Sequence, residues 1–282
     1  MNILPDISEE HLLIQRLKTG QEDAVEELYV RYGNGIYNIA YRMTGSHEDA
    51  QDIMQETILR VYRHIAEFRG DSRLYTWIYA IANNMCLHIL ERRKKNSFMA
   101  MQNLIKQASE ASKPETISDR EKQTLIGQIK DGCFSGLLRC LSFNQRMAFI
   151  LYVLLHIPIT DTASVLAKSE GATKVLIHRA RQNLKNFLCE HCSLYDNKNP
   201  CRCENLLSFS LSKSWISCDS GDVANDAYSI SPAGIEAEVS NLHSVVALYQ
   251  SLREQKSLVS FRQYIKACIK NEDWAIFSRK KV

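Results

Sequence analysis

Glycine is scarce, at 11 of 282 residues, and no glycine-rich phosphate cradle of the Walker or dinucleotide-binding type is present. The HExxH and GxSxG signatures of zinc proteases and serine hydrolases are also missing. The expectation is therefore a protein that is not an enzyme. No apolar run approaches the ~20 residues of a membrane-spanning helix. The opening MNILPDISEEHLLIQRL carries acids and no basic leader-type segment, so a cytoplasmic chain without a membrane span is expected. Neither charge sign dominates: 35 Lys+Arg stand against 32 Asp+Glu, a formal net charge of +3. Affinity for nucleic acid has to come from local basic patches, because the molecule as a whole is no polycation. Nine cysteines are many, yet their pattern in an otherwise cytosolic-looking chain points to thiols or metal ligands ahead of disulfides.

What is present is helical. Hydrophobic content of 45% and charged content of 24% are those of a globular protein, and the length allows two domains with a further small module. Residues 9–33 read as a helix pair broken at Gly20, with Leu12, Leu13, Leu17, Ala24, Leu28 and Tyr32 on the apolar side. The stripe continues through Ile36, Ile39, Ala40 and Met43 to Thr44-Gly45-Ser46, where Ser46 is a helix N-cap with Asp49 at the capping-box position.

The richest stretch runs from Asp49 to Lys95. In its first helix Ala50, Ile53, Met54, Thr57, Ile58, Val61, Tyr62 and Ile65 recur at the i, i+3, i+4, i+7 spacing of a buried stripe. Asp49, Asp52, Gln55 and Glu56 share an outer face; such a face is either solvated or docks a basic partner. After Arg69-Gly70-Asp71-Ser72 a second helix follows, its inner stripe read as Leu74, Ile78, Ile81, Met85 and Ile89. Arg69, Arg73, Tyr75, Trp77, Asn83 and Asn84 offer cations, rings and amides able to hold phosphates, stacked bases and base edges. Packing in the core is the competing use of Tyr75 and Trp77. Arg92, Arg93, Lys94 and Lys95 close the helix, as phosphate contacts or as cations at its C-terminus.

The run FRGDSRLYTWIYAIANN, preceded by DAQDIMQETILRVYR, resembles region 2 of the extracytoplasmic-function sigma factors of bacterial RNA polymerase. A second match lies downstream, and together they span residues 9–188. The resemblance implies an all-α protein: a polymerase-binding, promoter-melting domain at 9–95, a linker at 96–135, a helix-turn-helix domain at 136–188, and a Cys-rich segment with a C-terminal extension at 189–282. It implies core RNA polymerase and promoter DNA as partners, with the Asp49–Glu56 face on the polymerase. It also admits an inhibitory anti-sigma protein. A helix-turn-helix regulator that acts without polymerase is the alternative.

In the second unit, Leu137 to Leu154 reads as one strongly apolar helix. A short helix from Thr160 to Lys168, a turn containing Gly171 and a helix from Ala172 to Leu188 then read as a helix-turn-helix. The last helix would enter the major groove with Thr173, Lys174, His178, Arg179 and Arg181 as its polar members. His178-Arg179-Ala180-Arg181 matches the resembled family's pattern for region 4, whereas Lys174-Val175-Leu176 departs from it.

In CEHCSLYDNKNPCRC, Cys189, His191, Cys192, Cys201 and Cys203 are five soft ligands within fifteen residues. Two short-spaced pairs across a turn suit a tetrahedral zinc ion. Redox-active thiols and a metal-dependent enzyme built on residues 189–203 are the other readings of this segment. No cofactor is required by the resemblance; a structural or regulatory zinc is the one this segment suggests.

Overall fold

The computed structural model describes residues 7–91, 93, 96–109 and 118–216. These divide into two compact units, one ending at Glu91 and one beyond it. The C-terminal extension beyond residue 216, and Arg92, Lys94 and Lys95, lie outside the described residues. Among the described residues there is no strand, and the one pairing of extended backbone is an isolated bridge between Cys192 and Cys201.

The first unit is built from α1 (Ile7–Lys18), α2 (Glu22–Thr44), α3 (His47–His64) and α4 (Leu74–Leu90). α2, α3 and α4 pack against one another, and α1 lies on α2. The seam between α2 and α3 is set by Gly45, which takes φ 75°, a left-handed value that only glycine adopts freely, and donates its N–H to Tyr41 O at 2.7 Å. Ser46 then caps α3, its hydroxyl accepting from the Asp49 N–H at 3.2 Å. The α3 stripe buries as its spacing requires, with Ala50, Ile53, Met54, Thr57, Ile58, Val61 and Ile65 all in the core together with Leu59.

α4 is different. Leu74 and Ile78 are buried, but the stripe continues through Tyr75, Tyr79, Ala82, Asn83 and Cys86. Ile81 and Met85 sit at its edge. α4 is apolar on most faces, so apolar spacing alone does not fix which side turns inward. Ion pairs join α1 to α2: Arg16 meets Asp23 at 2.6 Å and also Glu27, and Arg31 meets Glu9 at 3.1 Å. Such exposed pairs orient helices more than they stabilise them.

The second unit holds α5 (Phe98–Ser109), α6 (Asp119–Cys140), α7 (Phe143–Phe149), a π turn (Ile150–Leu154), α8 (Ile159–Val165), α9 (Glu170–His191), a 3-10 turn (Cys203–Leu206) and α10 (Leu207–Ser212). Two of these helices, α5 and most of α6, occupy the polar stretch 96–135 read as a linker. Ala108, Leu125, Ile129, Cys201, Leu206, Leu207 and Ile216 form their apolar core. The Cys-rich segment is thus one packed module with α5 and α6.

The single apolar helix expected over Leu137–Leu154 is broken. Leu141 is extended (φ −70°, ψ 157°) and Ser142 starts α7 with a reciprocal capping box to Gln145. Buried Arg146 donates to Arg139 O at 2.8 Å and Leu141 O at 3.3 Å, satisfying carbonyls at the end of α6. The tight turn of the helix-turn-helix also falls earlier than expected. Ala167 takes the left-handed value (φ 50°), Ser169 caps α9 by accepting from Ala172 N–H at 3.2 Å, and Gly171 lies inside the first turn of α9.

One glycine in the first unit is fixed by a close approach. A Cβ on Gly35 would stand 2.6 Å from the hydroxyl of Tyr79, whose ring is buried in α4 and cannot swing away. Gly35→Ala should lower unfolding stability by about 1–3 kcal/mol, as overpacking does. Gly127→Ala, on α6 with nothing within 4 Å, should raise it by about 0.5–1 kcal/mol. Chemical denaturation of both variants checks the contrast.

Candidate nucleic-acid interface

Between α3 and α4 the chain passes through a 3-10 turn (Ile65–Glu67) and the loop from Phe68 to Arg73. α1 holds this loop at both ends. Lys18 Nζ donates to Phe68 O at 3.0 Å. Glu10, only 2% exposed, accepts from Arg73 Nε at 2.6 Å with one oxygen and from the Leu74 N–H at 2.6 Å with the other. A carboxylate thereby caps the first N–H of α4, where the helix dipole favours negative charge. The Arg73 guanidinium also lies 5.6 Å from the centroid of the Tyr75 ring. Between the two anchors Arg69, Gly70, Asp71 and Ser72 are exposed, with Gly70 at φ 82°.

This geometry buries part of the set expected to contact DNA. Tyr75 (2% exposed) and Asn83 (8%) are core residues, and Arg73 is engaged by Glu10. Tyr75 and Tyr79 lie ring to ring at 6.1 Å, and burial pushes the Tyr79 hydroxyl up to about 12. Trp77 is half-buried against Phe68, centroids 5.2 Å apart. The face of α4 left open carries Trp77, Ile81, Asn84 and His88 at helical spacing, one step around from the face that apolar spacing suggested. Arg93 is exposed.

On α3, Asp52 is exposed, while Asp49, Gln55 and Glu56 are half-buried. Partial burial, then Glu48 and Asp49, raise the Asp52 carboxyl above the ordinary aspartate value. Glu56 is paired with Arg60 at 2.6 Å, and its second oxygen is buried.

On α9 the first turn exposes Glu170, Gly171 and Ala172, and beyond it Lys174, Val175, His178 and Arg179 are exposed. Thr173 is fully buried and its hydroxyl donates to Ser169 O at 3.0 Å, so it belongs to the cap and not to the reading face. Arg181 is half-buried, 5.9 Å from the centroid of the Tyr152 ring, with its Nε out of solvent.

His191 packs edge-on against Phe187 at 4.7 Å, which gives its ring a packing role at the end of α9. Cys192 pairs with Cys201 through the bridge, and Cys201 and Cys203 pack on the Leu125–Ile129 face of α6. Cys133, one turn further along α6 from Ile129, lies within the electrostatic reach of Cys192, Cys203 and Cys201. Burial first, and these neighbours second, push its thiol well above the ordinary value. Burial likewise pushes Cys201 up to about 11 and Cys203 up to about 12, Cys192 adding to each. Among the described residues no three His, Cys, Asp or Glu side chains stand at closed metal-ligand spacing. Sequence spacing missed Cys133 and Glu10 because each is distant along the chain from the residues it meets.

Two helical units, one with an acid-faced helix followed by a ring-and-amide helix and one with a helix-turn-helix, are the arrangement that the resemblance to a two-region sigma-70-type protein implies. The sequence model of Sigma-70 region 2 matches residues 28–96, and that of Sigma-70 region 4 matches residues 131–184. The RNA polymerase sigma factor YlaC of Bacillus subtilis is 29% identical over 167 residues, covering 58% of this chain and 91% of YlaC. The ECF RNA polymerase sigma factor BldN of Streptomyces coelicolor is 27% identical over 177 residues, covering 62% of this chain and 64% of BldN. The solved structure of CnrH in complex with the cytosolic domain of CnrY aligns over 64% of this chain and 97% of that one, at 19% identity and TM-score 0.47. The chain belongs to the extracytoplasmic-function sigma factors. Glu10 and the segment after residue 184 lie outside both matched regions.

The anchoring by Glu10 makes a stability prediction. Glu10→Gln keeps the shape of the side chain but removes the charge that both donors meet. It should lower the stability of the first unit by roughly 1.5–3 kcal/mol, the range for hydrogen bonds to a charged group, read by denaturant unfolding at fixed pH. Glu9→Gln, one residue earlier and exposed, should change it by less than about 0.5 kcal/mol.

Proposed function

We propose that this chain binds core RNA polymerase through the acidic face of α3, reads duplex promoter DNA with α9, and holds unpaired promoter bases on the open face of α4. It is a binding factor with no reaction of its own, and it acts in the cytoplasm, where the polymerase is. The observation that carries the reading is the loop from Phe68 to Arg73. It is pinned at both ends by α1, its middle is exposed, and its first residue, Phe68, packs on Trp77 at the start of the open face of α4 that also carries Asn84.

Opening a duplex costs a few kcal/mol per extruded base. Stacking returns ~1–3 kcal/mol per base whatever its identity, so a fixed loop beside a half-open ring offsets strand separation without ATP. Asn84 supplies a donor and an acceptor for a base edge, and Arg69 supplies a cation for a phosphate. On α9 the exposed Val175 suits a thymine methyl, and Lys174, His178 and Arg179 suit base edges or phosphates. An inhibitory anti-sigma protein would have to cover one of these same faces.

Two measurements test the reading. Asp52→Lys reverses charge at the exposed centre of the α3 face and should abolish co-elution with core polymerase while leaving duplex binding by α9 intact. A helix-turn-helix regulator independent of polymerase would not co-elute with core polymerase even unaltered, and Asp52→Lys would leave its DNA binding intact. Because burial and its acidic neighbours raise the Asp52 carboxyl above the ordinary aspartate value, its charge is lost at a higher pH than an ordinary aspartate's as pH falls; polymerase affinity should weaken with acidification, and less so in Asp52→Asn. Arg179→Ala should weaken duplex promoter binding by ~1–3 kcal/mol, whereas Thr173→Ser, within the buried cap, should leave it unchanged.

A further inference from the structure

We propose that Cys133, Cys192, Cys201 and Cys203 form a binding site for one thiophilic divalent cation of the zinc type, joining α6 to the segment that follows α9. Three elements bring these thiols together. Cys133 is on α6, Cys192 is the C-cap of α9, and Cys201 and Cys203 flank the start of the 3-10 turn at Cys203–Leu206. The apolar packing of Cys201 and Cys203 with Leu125 and Ile129 sets them on the same side of α6 as Cys133, which is one turn beyond Ile129.

The backbone is arranged as a knuckle. Cys201 N–H donates to His191 O at 3.2 Å and Ser193 N–H to Cys201 O at 3.1 Å, so the two chain segments run side by side. Asn199 Nδ2 donates to Cys189 O at 2.9 Å and Cys192 O at 3.0 Å, closing the turn between them. The backbone N–H groups of Leu194 and Tyr195 hydrogen-bond the Cys192 sulfur and hold it in the knuckle. Lys130, one turn before Cys133 on α6, lies within electrostatic reach of Cys192 and Cys203. A four-thiolate zinc centre carries a net charge of −2, and an adjacent ammonium offsets part of it.

All four are thiols and not disulfides, as are Cys86, Cys140 and Cys189. On binding, each of the four gives its proton to solvent and its sulfur to the metal, and the side chains rotate from their open arrangement to ~2.3 Å Zn–S bonds. Cys189 and His191 stay outside the set. The site is independent of DNA and polymerase contacts, and its test involves neither.

The full chain, purified under reducing conditions and stripped of metal, is titrated with Co2+ and then Zn2+. We expect one ion per chain, tetrahedral Co2+ bands with intense thiolate charge transfer, displacement by Zn2+, and a higher melting temperature with Zn2+ than with chelator. Cys133→Ser should weaken Zn2+ binding on the order of 100-fold. Cys189→Ser and Cys140→Ser should leave stoichiometry and spectrum unchanged. Should Cys133→Ser fail to fold, Cys133→His still tests the assignment: it should retain one ion while the Co2+ spectrum loses part of its charge-transfer intensity. Absence of stoichiometric metal would overturn the site, as would a spectrum indifferent to residue 133 or a loss on Cys189→Ser equal to that on Cys133→Ser.

Discussion

A carboxylate buried at 2% exposure would ordinarily be among the most costly groups in a small helical unit. Glu10 is stable there because both of its oxygens are met, one by Arg73 and one by the first N–H of α4. The rest of the first unit depends on this pair of contacts. They fix where α4 begins, and with it the rotation that turns Tyr75, Tyr79 and Asn83 inward and leaves Trp77 and Asn84 open. Gly35 lets Tyr79 come close to α2 and sets the same rotation from the other side. In the proposed function this loop has to stay in place while the duplex next to it comes apart, and the α1 anchors supply that fixity.

The second unit solves a comparable problem by capping. Ser142 and Ser169 each start a helix by accepting a backbone N–H, and the left-handed Ala167 turns the chain between α8 and α9. Thr173 spends its hydroxyl on that cap. Past that cap the first half of α9 exposes Lys174, Val175, His178 and Arg179, a narrower surface than its polar residues suggest. Behind it, α5 and α6 and the Cys-rich segment share one apolar core, so the chain between the two matched regions is structure as well as tether.

The sequence made some of this legible for a physical reason in each case. α3 alternates acids and apolar residues cleanly, so its buried face and its Ser46 cap follow from spacing. α4 is apolar nearly all round, so its inner face could not be read without knowing what lies against it; the choice of Ile81 and Met85 over Ala82 and Cys86 was a one-residue rotation. Leu137–Leu154 reads as one helix until Ser142 and Gln145 are taken as a capping box, a local signal that outweighs the apolar run. Glu10 and Cys133 carry no local signal. A glutamate in an amphipathic helix looks like solvent-facing charge, and a cysteine distant from the Cys-rich segment looks like filler, until packing brings each to its partners.

The account turns on the Glu10 carboxylate holding the first N–H of α4. Amide hydrogen exchange at Leu74, resolved by NMR, reports on that bond directly, because the leading N–H groups of a helix have no acceptor within the helix and exchange quickly when left to water. The account predicts that the Leu74 amide exchanges as slowly as the amides in the middle of α4, and that the protection disappears in Glu10→Ala while the middle of α4 stays protected. Fast exchange at Leu74 in the unaltered protein would contradict it.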